Sequence, residues 1–194
     1  MSAITPTQSE LLYAFYGAST NLATFTAEDN LMKTYPVCAL PSLRQLLDTT
    51  GKRASSLKVK ARGQLGTTGT PTFTFTLRLI PATEAWSAGG IILGASGAVL
   101  AGSTVTLSPW KLEAEIGLVT LPAAAVNATV KTMGDIGGAA FSPAQGSIPA
   151  NNVSPLLSTV DLSAQYYLWI SAACSASSSL NLINMQMLKV YGEN

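Results

Sequence analysis

Between Leu57 and Leu79 the chain alternates apolar and polar residues twice, and this period constrains the fold more than any other feature of the sequence. In Leu57-Lys-Val-Lys-Ala-Arg62, Leu57, Val59 and Ala61 share one parity, and Lys58, Lys60 and Arg62 share the other. In Thr72-Phe-Thr-Phe-Thr-Leu-Arg-Leu79, Phe73, Phe75, Leu77 and Leu79 oppose Thr72, Thr74, Thr76 and Arg78. A two-residue period belongs to an extended strand with one buried and one wet face. Thr suits the outer side, because its stiff, β-branched side chain packs well on a pleated surface. The two runs flank Gly66-Thr-Thr-Gly-Thr-Pro71, so the expected unit is a β-hairpin with a longer loop.

The pattern recurs down the chain. Trp110-Lys-Leu-Glu-Ala-Glu-Ile116 places Trp110, Leu112, Ala114 and Ile116 inward and Lys111, Glu113 and Glu115 outward. Shorter strands are expected over Val126–Met133 and Leu156–Leu162, and a second hairpin from Gln165–Ala173 and Ser179–Tyr191. In the last run the phase slips: Leu180 and Leu182 share one face and Met185 and Met187 the other. Either a bulge near Ile183 or burial on both faces accounts for that. The one helix expected covers Ser42–Asp48, between Pro41 and Gly51. Many short strands and at most one short helix predict an all-β chain. Residues 51–194 are expected to form a jelly-roll-like β-sandwich, and residues 1–50 an irregular N-terminal arm. The arm holds the apolar stretch Leu11-Leu-Tyr-Ala-Phe-Tyr16, whose partner is either the domain itself or a neighbouring subunit.

Composition narrows the chemistry. Only 11% of the 194 residues are charged, against about 25% in an ordinary soluble domain. Hydroxyls supply the polarity instead, with 20 Ser and 21 Thr. The net charge of +1 gives no global field for nucleic acid or an anionic membrane. With no histidine, Ser-His and Cys-His nucleophiles and most zinc and copper sites are excluded. The two cysteines, Cys38 and Cys174, build no disulfide framework; separate buried thiols are the expected arrangement, with a single bridge across the fold as the alternative. No cofactor or metal is expected. The N-terminal residues lack the basic start and apolar run of a signal peptide, so synthesis in a cytoplasm without export by that route is expected.

Other patterns carry less. Residues 85–110 are charge-free and contain Gly90-Ile-Ile-Leu-Gly94, but their five glycines and Pro109 favour loops and short strands over a membrane helix. Ser55-Ser-Leu-Lys58 and Ser108-Pro-Trp-Lys111 have SxxK spacing but fall at strand starts, where Lys does not reach the hydroxyl as it would on a helix. Glu113 and Glu115 share a strand face about 7 Å apart, where a solvated ion pair with Lys111 is the expected arrangement. Lys58, Lys60 and Arg62 make a basic stripe that Arg78 would extend across the ladder; it is either an ordinary charged outer face that guards the strand against edge pairing or a docking site for an acidic protein surface. Thr residues take the place of the interleaved aromatics that a nucleic-acid site would use.

The segment Leu57–Leu79 resembles the first hairpin of jelly-roll virion proteins of tailed bacteriophages. So do Pro109-Trp-Lys-Leu-Glu-Ala-Glu115 and the run Thr159-Val-Asp-Leu-Ser-Ala-Gln165 through Ser175-Ala-Ser-Ser-Ser-Leu180. The likeness covers about residues 57–190 in order. It implies a virion structural role without enzymatic activity, typically a capsid decoration (cement) protein. Such a protein trimerises on the head and bridges subunits of the major capsid protein. The expected inter-subunit contacts in this chain are Tyr13, Phe15 and Tyr16, then Lys58, Lys60 and Arg62. The alternative is a receptor- or glycan-binding module at a tail or fibre, with Trp86, Trp110, Trp169, Tyr166 and Tyr167 stacking on sugar rings.

Overall fold

A computed structural model describes residues 9–41, 56–84, 90–120, 127–141, 145–150 and 153–193. In chain order their strands are β1 (Ser9–Tyr16), β2 (Leu22–Ala23), β3 (Asp29–Asn30), β4 (Cys38–Ala39), β5 (Ser56–Gly66), β6 (Thr72–Pro81) and β7 (Ile91–Ala95). They continue with β8 (Val99–Leu100), β9 (Ser108–Thr120), β10 (Asn127–Gly137), β11 (Gly146–Ile148), β12 (Leu157–Asp161), β13 (Tyr166–Cys174) and β14 (Leu182–Glu193). One antiparallel sheet runs β1-β14-β5-β9-β10-β11, with β12 also on β10 and β2 on β14. The other runs β3-β13-β6-β7, with β4 on β13 and β8 on β6. The two sheets pack as a β-sandwich, and the expected helix over 42–48 lies outside the described residues.

The strand faces are those the alternation predicts. Leu57, Val59 and Ala61 of β5 and Trp110, Leu112, Ala114 and Ile116 of β9 are buried, as are Phe73, Phe75, Leu77 and Leu79 of β6. The strand partners differ. The runs expected to form the first hairpin never pair with each other: β5 lies between β14 and β9, and β6 between β13 and β7. The second expected hairpin is likewise divided, with β13 in one sheet and β14 in the other. Both turns are arches that carry the chain from sheet to sheet. Because β5 pairs with β14 and β6 with β13, the two arches fold together as one ribbon across the sandwich edge. A hairpin would place both apolar faces on the same side of one sheet and leave them needing a cover. Crossing over makes each face the cover of the other.

Hydrogen bonds between the arches close this corner. Thr68 N–H donates to Asn181 Oδ1 (2.9 Å), Thr72 N–H to Ser175 Oγ (2.9 Å) and Ser175 N–H to the Thr72 carbonyl (2.9 Å). Gly69 turns the first arch at φ +68°, a left-handed conformation that costs glycine little. The phase slip in the last strand is a bulge between Met185 and Met187, beyond the expected position at Ile183. It keeps Ile183, Met185, Leu188 and Val190 all inward.

Two further expectations change. Residues 9–41 belong to the sandwich: β1 extends the first sheet, and Leu22, Leu31, Met32, Cys38 and Leu40 join the common core. Arg78, expected on a wet face beside the basic stripe, lies in the other sheet and is only 6% exposed. Its Nε and Nη2 donate to the two carboxylate oxygens of Glu28 at 2.7 Å each, and Nη1 donates to the Gly90 carbonyl at 2.9 Å. Ser171 Oγ also donates to Glu28. The chain around Glu28 thereby covers part of the sheet face that the alternation leaves open to water.

Cys38 and Cys174 are free and buried. Cys38 sits opposite Leu168, and Cys174 lies six residues further along β13, roughly 20 Å away, so no bridge joins them. Burial pushes the Cys38 thiol up to about 12. A thiolate-specific reagent should therefore leave both cysteines unmodified in the native protein and titrate two per chain in denaturant. Rapid labelling without denaturant would show that these positions open to solvent.

Candidate interaction face

The outer face of the first sheet gathers much of the little charge the chain has. The strand registers arrange it in rows that run across the sheet from β1 to β10 and beyond. One row reads Ser9, Glu193, Ser56, Gly117, Lys131 and Leu157. The next reads Leu11, Tyr191, Lys58, Glu115 and Met133. The third reads Ala14, Lys189, Lys60, Glu113, Asp135 and Ser147, and the fourth Tyr16, Met187, Arg62, Lys111 and Gly137. Lys58, Lys60, Arg62, Lys111, Lys131 and Lys189 are six of the eleven cationic side chains.

The ion pairs within this face are loose. Lys58 Nζ lies 3.7 Å from Glu193 and Lys60 Nζ 3.9 Å from Glu113, with 26–36% of each side chain exposed. Pairs of this kind contribute about 0–1 kcal/mol each. The face also places like charges directly opposite each other on neighbouring strands. Lys60 opposes Lys189, Glu113 opposes Asp135 and Arg62 opposes Lys111. Such pairs are unfavourable within a single sheet. Lys189 finds partial relief over the Tyr16 ring, 5.0 Å from its centroid.

Beside the charges lies exposed apolar surface. Met133 is 56% exposed, Val119 48% and Leu157 60%. An open groove of about 510 Å³ runs between Glu115, Met133, Asp135, Ser147 and Val153. A second of about 270 Å³, lined by Val119 and Lys131, shares Glu115 and Met133 with it.

The expected contact residues divide between the interior and this face. Lys58, Lys60 and Arg62 stand on it together, joined by Tyr16, which is 65% exposed. Tyr13 and Phe15 point the other way, toward the core. The Tyr13 hydroxyl donates to the Pro36 carbonyl at 2.8 Å, and the Phe15 ring lies 4.3 Å from that of Tyr35. Burial, with Cys38 nearby, raises the Tyr13 hydroxyl to about 12. Sequence reasoning missed Lys131, Met133, Asp135 and Lys189 as members of this face. Their outward parity was readable, but their neighbours were not.

No protein-family model matches this chain, and the search of curated proteins finds no match.

Three of the proposed sugar-stacking aromatics, Trp110, Tyr166 and Trp169, are buried. Tyr167 is half-buried with its ring against Trp169, and Trp86 lies outside the described residues. Among the described residues no three His, Cys, Asp or Glu side chains are grouped to hold a metal ion. Nor is any helix among them long and apolar enough to cross a membrane. The described part of the charge-free stretch 85–110 forms β7, β8 and the start of β9.

Proposed function

We propose that the protein is a non-enzymatic virion subunit: a capsid decoration protein that assembles as a trimer on the head and bridges major capsid subunits. The observation that carries this reading is the outer face of the first sheet, where exposed Met133, Val119 and Leu157 adjoin ordered rows of charge. Apolar surface beside oriented charges suits binding to another protein, the first for area and the second for register. The resemblance of residues 57–190 to jelly-roll virion proteins supplies the specific setting. A subunit of this kind works mechanically, because the contacts it adds between shell subunits must break before the shell opens.

Mass spectrometry and a reconstruction of purified particles test the proposal. The expected result is density for this β-sandwich on the outside of the head, in contact with more than one major capsid subunit. Particles whose heads lack the protein, or its placement at a tail tip with binding to host glycans, would overturn it.

A further inference from the structure

We infer that the outer face of the first sheet is a self-complementary docking surface for a second copy of this chain, related by a twofold axis between β5 and β9 and parallel to them. The inference does not depend on the virion setting, and it assigns this face to a second copy, so on a shell the contacts with capsid subunits would fall to other surfaces of the sandwich. Three strand positions lie on each side of that line, β1, β14 and β5 against β9, β10 and β11. A rotation of 180° about it preserves position along the strands and exchanges β5 with β9 and β14 with β10. Each row then meets its own reverse.

The consequence follows from the registers alone. Lys58 meets Glu115 of the second copy, and Lys60 meets Glu113. Lys189 meets Asp135, and Glu193 meets Lys131. Tyr191 meets Met133, beside the groove of about 510 Å³. Four opposite-charge pairs thus form, against one like-charge meeting of Arg62 with Lys111, and each of the five occurs twice by symmetry. The third row explains why such a partner is favoured. Its charges run plus, plus, minus, minus, so a single sheet satisfies the inner pair and leaves Lys189 beside Lys60 and Asp135 beside Glu113. The reversed row of a second copy gives every one of them an opposite neighbour.

Size and shape agree. Six strands about 4.8 Å apart and some 30 Å long present roughly 700–800 Å², close to the ~800 Å² each partner buries in a standard interface. Twisted sheets pack face to face with strand directions within about 30° of each other, which a twofold axis along the strands permits. The contact is isologous, so it closes at two copies. Combined with threefold contacts on a shell, it gives even-numbered assemblies.

Charge exchange between columns tests this. Variant one carries Lys58→Glu and Lys60→Glu, and variant two carries Glu113→Lys and Glu115→Lys. Sedimentation of the wild type in low salt should show a dimer or a hexamer that dissociates as salt is raised. Each variant alone should associate more than about a hundredfold more weakly, because like charges then face each other. An equimolar mixture of the two should form heterodimers, and the chain with all four changes should self-associate again. Recovery in the mixture also shows that both variants fold. Should either variant misfold, the milder Lys189→Glu change must weaken association and Lys189→Glu with Asp135→Lys must restore it. A wild type found only as monomer or trimer, dimers unaffected by the reversals, or failure of the folded variants to pair would each overturn the inference. None of these results bears on whether the protein is found on virions.

Discussion

Replacing Trp110 with Ala should lower the stability of the fold by about 3–5 kcal/mol, the range for removing a large aromatic from a packed core. Trp110 is 1% exposed, and its ring lies 5.2 Å from that of Phe75 on the opposite sheet, so it fills space between the layers. Its Nε1 donates to the Asn184 carbonyl at 3.0 Å, tying β9 to the strand beyond β5. That bond can form only because residue 63, on the intervening strand, is glycine. A Cβ there would fall 2.0 Å from the Asn184 oxygen and 2.8 Å from the indole nitrogen. Gly63→Ala should therefore destabilise through backbone displacement although it adds a single methyl group. Trp110→Phe keeps most of the ring but removes the donor, and should cost less than Trp110→Ala. Urea unfolding of the three variants measures this. A loss below about 1 kcal/mol for Trp110→Ala would mean that the two sheets close over the vacated space.

The second large effect is expected at Arg78. Arg78→Ala removes one side of a buried pair and leaves the Glu28 carboxylate against Ser171 and the sheet face. Breaking a fully buried pair this way costs about 3–5 kcal/mol, mostly from the uncompensated charge; the Glu28 side chain is 21% exposed, so the loss here should fall below that range. Glu28→Gln in the same chain should recover part of the loss, and Arg78→Lys, which keeps the charge but not the forked geometry, should fall between. The pH dependence has a definite sign. In the native protein the Arg78 hydrogen bonds hold the Glu28 carboxyl below its usual range, against the opposing effect of burial and with help from Ser171. A depressed folded-state pKa gives stability that is present above the unfolded value of about 4.3. It is lost as pH falls through the depressed folded value. Without Arg78 the largest cause that lowers the Glu28 pKa is gone and burial is opposed only by the Ser171 hydrogen bond, so this carboxyl should titrate higher than in the wild type. The stability gap between wild type and Arg78→Ala should therefore be widest near neutrality and narrow in acid. A gap that stayed constant as the pH was lowered would show that the charge on Glu28 is not its source.

Arg78 also marks where reading the chain by parity stops. Parity places Arg78 with Thr72, Thr74 and Thr76 on the outer side of β6, and that is where it lies. Parity carries no information about whether a distant segment covers that side, and Glu28, fifty residues earlier, does so. The same limit applies to the contact residues. Lys58, Lys60 and Arg62 were legible as an outward stripe because their apolar neighbours identify the buried face. Tyr13 and Phe15 oppose Tyr16 by parity, but β1 carries large apolar side chains of both parities, so parity alone did not say which of its faces is inward. The columns that face the basic stripe, Glu113 and Glu115 with Asp135 beyond, depend on β9 pairing with β5 across more than forty intervening residues.

By itself the sequence determined which residues are buried in β5, β6 and β9, and hence an all-β, layered fold. Burial follows from side-chain chemistry and a two-residue period, and both are local. Tertiary structure alone decided which strands are neighbours. It turned two expected hairpins into arches, brought residues 9–41 into the core and set the charges of β14, β5, β9 and β10 in register. Strand pairing is a choice among distant partners with similar apolar faces, and it is settled by how those faces cover one another once the chain is folded.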